Sequence, residues 1–90
     1  MEYGFVVVRD AAHVGTSRRL CRKLAEAAGA AADLVERAAL VTTELATNLV
    51  AHAGAGELYL RVHGEEVEII SVDRGPGLGD ARRAFSDGFS

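Results

Sequence analysis

Cysteine, proline and tryptophan are nearly missing from this sequence: Cys21 and Pro76 stand alone of their kinds and tryptophan does not occur. A lone cysteine excludes an internal disulfide, and with no second cysteine nearby it excludes a paired-thiolate zinc site. A reducing, cytoplasmic setting is the expectation. Long runs of Lys or Arg are absent and the formal charge is −3, so the basic footprint of a nucleic-acid binder is missing. Long apolar runs are absent too. Phe5-Val6-Val7-Val8 is broken by Arg9 and Asp10, too soon for a signal peptide or a membrane span. What is there is ordinary globular material: 90 residues, 49% hydrophobic and 26% charged, the makings of one compact domain.

Periodicity divides the chain. Residues 3–9, YGFVVVR, are aromatic and β-branched, which predicts a strand. Val14, Leu20, Cys21, Leu24 and Ala28 recur at helical spacing, with Arg18, Arg19, Arg22, Lys23 and Glu26 left for solvent; an amphipathic helix is expected over about 14–28. Gly29 follows where a left-handed cap is often needed, and Asp33 stands where an N-cap would open a second helix. That helix is expected over about 34–53, with Leu34, Ala38, Val41, Leu45 and Leu49 on its apolar side and Gly54 and Gly56 ending it. ELYLRVH and EVEIISV alternate about Gly64-Glu65, which predicts a hairpin over about 57–72. A glycine-rich stretch then leads into a polar tail, where ARRAF could form a short helical turn.

The second helix carries the first chemical constellation, in TTELATNLVAHA. Glu44, Asn48 and His52 are each four apart, which places them within an arc of about 80° on one face. Such a trio can be no more than a solvated polar stripe. This one, however, sits in an otherwise apolar, alanine-rich segment, with the poor helix formers Thr43 and Thr47 beside it. A carboxylate one turn from an amide oxygen suits a Mg²⁺ site, because that ion keeps several waters and takes few protein oxygens, phosphates supplying others. Asn48 would be the ligand and Glu44 would orient or deprotonate the nucleophile.

The second constellation is Asp73-Arg74-Gly75-Pro76-Gly77-Leu78-Gly79, directly after VEIISV. Glycines two apart let backbone approach a flat ligand closely, and Pro76 fixes one dihedral so that the loop is preformed. An Asp at the end of a buried strand can accept a hydrogen bond from an exocyclic amino group. Adenine offers that donor; guanine presents a carbonyl at the same edge and would leave two acceptors face to face. The plain alternative is a Gly-Pro turn with a capping Asp. Neither of two commoner phosphate loops is present: there is no GxxxxGK[ST], and GxGxxG fails because Asp80 stands where the third glycine belongs.

Together the motifs are more specific than either alone. A helical ExxxNxxxH followed, after a hairpin, by a strand ending in DxGxG resembles the N-box and first glycine box of the GHKL ATPase superfamily, to which gyrase-type ATPases, histidine kinases and MutL belong. Within it, ELATNLVAHAGAGEL, EIISVDRGPGLGD and FSDGFS are similar to the N-box, glycine box and start of the lid in bacterial anti-sigma-factor serine/threonine kinases and switch kinases. The resemblance implies an α+β fold, a two-layer α/β sandwich of the Bergerat type with a mixed, mostly antiparallel sheet packed on helices. It implies one histidine-kinase-like ATPase domain over residues 1–90, with the glycine box at 73–79 and the start of an ATP lid at 80–90. It implies ATP and Mg²⁺ as cofactors, Asn48 coordinating the metal, Glu44 as catalytic base, Asp73 on the adenine amino group, Gly75 and Gly77 shaping the base pocket, and Gly79 closing the same box. His52 fills the last N-box position, where phosphate contact and helix packing are both open.

The expected activity is that of an ATP-dependent protein serine kinase acting on a STAS-type antagonist in sigma-factor regulation. The alternatives are a module that binds ATP and a sigma factor or scaffold without turnover, the ATP-binding domain of a larger signalling protein such as a phosphatase fusion, and an interaction domain that has lost nucleotide. A homodimer is a further expectation. The resemblance departs at the end of the chain: Ser86, Gly88 and Ser90 could begin the lid, but its second glycine-rich box, the following helix and a further strand are not in these residues. A longer natural protein is the favoured reading, with weak ATP binding and little turnover from the ninety residues alone. Cys21 reads as a small core residue, His13 and His63 have no partner at metal-ligand spacing, and Arg18, Arg19, Arg22, Arg82 and Arg83 read as solvated surface.

Overall fold

The structure, a computed structural model, describes residues 1–73 in full and residues 81–87 as backbone. In chain order come strand β1 (Glu2–Val8), helix α1 (Ala11–Ala27), helix α2 (Ala32–Asn48), a π-helical turn (Leu49–Ala53), and strands β2 (Gly56–His63), β3 (Glu66–Asp73) and β4 (Ala81–Asp87). The sheet order is β1-β2-β3-β4, and every pairing among the described residues is antiparallel. Both helices lie on one face of the sheet, so the fold is α+β, a two-layer sandwich.

Helix α1 begins earlier than its apolar spacing suggests because Asp10 caps it. The Asp10 carboxylate accepts from the backbone N–H of Ala12 at 3.0 Å and of His13 at 3.3 Å. The His13 Nδ1 accepts in return from the Arg9 N–H at 2.9 Å. At the other end Gly29 takes φ 79°. Its N–H reaches the Glu26 carbonyl and the Ala30 N–H reaches that of Ala25, both at 3.0 Å, which completes a Schellman cap. This exit delivers the chain extended through Ala31, which is therefore the N-cap residue of α2. Asp33, expected as the cap, lies inside the first turn, where its charge favours the helix N-terminus and stands 3.9 Å from Arg37.

The core lies between the layers. Val6 and Val8 of β1, Leu58, Leu60 and Val62 of β2, and Val67 and Ile69 of β3 point into it, against Cys21, Leu24 and Ala25 of α1 and Leu34, Val35, Ala38 and Ala46 of α2. The buried face of α2 is rotated from the expected one: Thr42 is fully buried, while Val41 and Leu45 are only partly so. The Thr42 hydroxyl is satisfied by the Ala38 carbonyl at 2.8 Å. The outer face of the sheet carries Tyr3, Phe5 and Tyr59, the last two rings 5.0 Å apart, about a concavity of 440 Å³.

Two elements differ from expectation. The second helix stops being an α-helix at Asn48 and widens into the π-helical turn before Gly54, at φ 81°, ends it. The ARRAF stretch is strand rather than helical turn: residues 81–87 pair along β3 from Asp73↔Ala81 to Val67↔Asp87 and cover its open edge. The hairpin turns as its sequence suggests, on Gly64 at φ 61° with Glu65 at negative φ, the pattern of a type II′ turn.

Candidate functional site

Glu44 and Asn48 occupy the last turns of α2 and are both exposed, one helical turn apart on one face. His52 is exposed as well, but it belongs to the π-helical turn. The wider i→i+5 winding sets it back from where a continuing α-helix would carry it, and such turns occur often at functional sites. Thr43 and Thr47 contribute less than their positions suggest. Their hydroxyls donate to the carbonyls of Ala39 and Thr43, one turn back, at 2.8 and 2.7 Å. Arg18, read as solvated surface, reaches across from α1 and donates to the Thr43 hydroxyl at 3.4 Å.

Asp73 closes β3. It is half-buried, after the buried Ser71 and Val72, and it stands opposite Gly56 of β2 and Ala81 of β4. Gly75, Gly77 and Gly79, the other expected nucleotide-binding positions, lie outside the described residues, as do Gly88 and Ser90.

A contact that spacing alone does not reveal brings the helix end to the strand end. Leu49, the residue after Asn48, is buried and packs onto Gly56, so that a Cβ placed there would stand 2.5 Å from Leu49 Cδ2 and 2.5 Å from the Val72 carbonyl oxygen. From Asn48 to Asp73 is thus one peptide bond, one packing contact and one strand pairing. The signal for it was in the sequence: a glycine at the first position of an alternating strand marks close approach as well as a helix stop.

Donor chemistry at the helix end suits Mg²⁺ better than a closed metal cage. Among the described residues no three His, Cys, Asp or Glu side chains are grouped to hold a metal. One carboxylate and one amide oxygen on an open face leave room for the waters and phosphate oxygens that Mg²⁺ prefers.

The structure thus presents an α+β sandwich with an exposed carboxylate–amide pair, Glu44 and Asn48, at a helix end and Asp73 closing β3. The family model of the histidine kinase-like ATPase domain matches residues 7–88, and the chain belongs to that family. It is similar to the serine/threonine-protein kinase RsbT of Bacillus subtilis (strain 168), with 32% identity over 78 residues, 82% of this chain and 59% of the relative. The chain thus spans less than two thirds of that relative's length. No helix among the described residues is long and apolar enough to cross a membrane.

Proposed function

We propose that this domain binds ATP with Mg²⁺ and forms the nucleotide-binding part of a serine protein kinase whose substrate is a STAS-type antagonist in sigma-factor regulation. The observation that carries the reading is the joining of the α2 end, with Glu44 and Asn48 exposed, to the β3 end at Asp73 through Leu49 and Gly56. Likeness to a serine/threonine-protein kinase supports the reaction type.

In this reading the Asp73 carboxylate accepts from the adenine amino group and fixes the base. The Asn48 amide oxygen holds Mg²⁺, which when bound neutralises charge on the phosphates. Glu44, one turn away, accepts the proton of the attacking serine hydroxyl or orients it for in-line attack. Little covalent chemistry falls to the protein in phosphoryl transfer, so placing these groups is most of the catalysis. The same reading gives Gly75 and Gly77 the role of shaping the base pocket and Gly79 that of a further nucleotide-binding position, and leaves His52 either to phosphate contact or to helix packing. Such a domain works in the cytoplasm, where ATP and the protein substrate are, as a monomer or a homodimer.

The test is Glu44→Ala, made in a protein that carries the complete lid, with a STAS-domain protein as substrate. Transfer of γ-phosphate to its serine should fall at least 100-fold, the order that a general base contributes, while Mg-ATP still binds. Unchanged transfer would remove Glu44 from the chemistry. Absence of any transfer by the unaltered protein, with ATP-dependent capture of the partner intact, would favour a binding module.

A further inference from the structure

We infer that Gly56 is a positioning residue of the nucleotide site, holding the Asn48 end of α2 against the Asp73 end of β3; the inference rests on the roles proposed above for those two residues.

Glycine at this position is not required by backbone conformation. The glycines with positive φ among the described residues are Gly29, Gly54 and Gly64, and Gly56 is not one of them. It sits in the first position of a regular strand, where a side chain normally adds packing and β propensity. Space is the reason for it. A Cβ would stand 2.5 Å from Leu49 Cδ2, 3.0 Å from Leu49 Cδ1 and 2.5 Å from the Val72 carbonyl oxygen.

Those neighbours are the two anchors of the site. Leu49 is 3% exposed and directly follows the proposed metal ligand. The Val72 carbonyl belongs to the peptide bond that leads into Asp73, and Asp73 is the pairing partner of Gly56. The carbonyl cannot swing aside as a side chain can. A methyl group at residue 56 therefore drives the helix end and the strand end apart, and displaces the adenine acceptor from the metal-binding face.

Gly4 supplies the contrast. A Cβ there also meets an atom at 2.5 Å, but that atom is Leu24 Cδ1, and its next neighbours belong to Leu20. All are ends of flexible side chains between β1 and α1, away from Asn48 and Asp73.

Isothermal titration with Mg-ATP and Mg-GTP tests the assignment in Gly56→Ala, Gly4→Ala, Asp73→Asn and the Gly56→Ala/Asp73→Asn double variant. Gly56→Ala should weaken Mg-ATP about tenfold or more and narrow the preference over Mg-GTP, yet cost much less in the Asp73→Asn background, the non-additivity expected of coupled sites. Gly4→Ala should bind as the unaltered protein does. Should Gly56→Ala fail to fold by circular dichroism, Leu49→Ala, which removes the contact without adding an atom, takes its place in the same cycle. Unchanged affinity, or an equal loss in both backgrounds, overturns the positioning role. If the unaltered protein binds no Mg-ATP, the nucleotide reading itself falls, and this inference with it.

Discussion

Arg22 and Glu36 join the two helices by a paired contact, with Nη2 donating to Oε1 at 3.0 Å and Nη1 to Oε2. The hydrogen bonds from Arg22 hold the Glu36 carboxyl below its ordinary range and, in return, raise the guanidinium. A carboxylate whose pKa is lowered by folding stabilises above its unfolded pKa and loses that contribution as pH falls through its folded pKa. Glu36→Gln should therefore lower the urea midpoint near neutral pH and converge with the unaltered protein in acid, an effect that added salt shrinks because both groups are exposed. Denaturation at a series of pH values reads this; an equal offset at every pH would assign the loss to packing. Cys21 is the opposite kind of residue: burial pushes its thiol up by more than the Thr42 hydrogen bond and the Arg22 charge pull it down. That fits the small core residue its place on the apolar stripe suggested.

Among elements, α1 shows how local chemistry sets boundaries. Its N-terminus rests on the Asp10 cap and its C-terminus on the Gly29 Schellman turn. Asp10→Ala should cost about 1 kcal/mol of stability by thermal or urea unfolding, and no measurable change would mean that the frayed turn is solvated without penalty. Gly29, the Gly64 turn and the alternating hairpin were legible because each is decided within a few residues. Helix α2 was legible as a helix but not as one that widens after Asn48, since apolar spacing does not separate a single π turn from an α turn. β4 was misread because Ala, Arg and Phe accept a helix as readily as a strand, and the open edge of β3 decides between them. The candidate site divides the same way: the placement of Glu44 and Asn48 on one helix face and of Asp73 at a strand end was visible as local spacing, whereas Leu49 on Gly56 is a contact made across the turn between them.

For the molecule as a whole, two helices on one face of a sheet bring the end of α2 to the end of β3, and the match over residues 7–88 places the chain in the histidine kinase-like ATPase domain family. A carboxylate that reads adenine, as proposed for Asp73, must discriminate between bases. In calorimetric titrations with Mg-ATP and Mg-GTP, the unaltered protein should prefer ATP by about tenfold or more, since a mismatched polar contact in a buried site costs on the order of 1–3 kcal/mol. Asp73→Asn should erase most of that preference with the fold intact. Equal binding of the two nucleotides, or a preference that survives Asp73→Asn, would contradict the account.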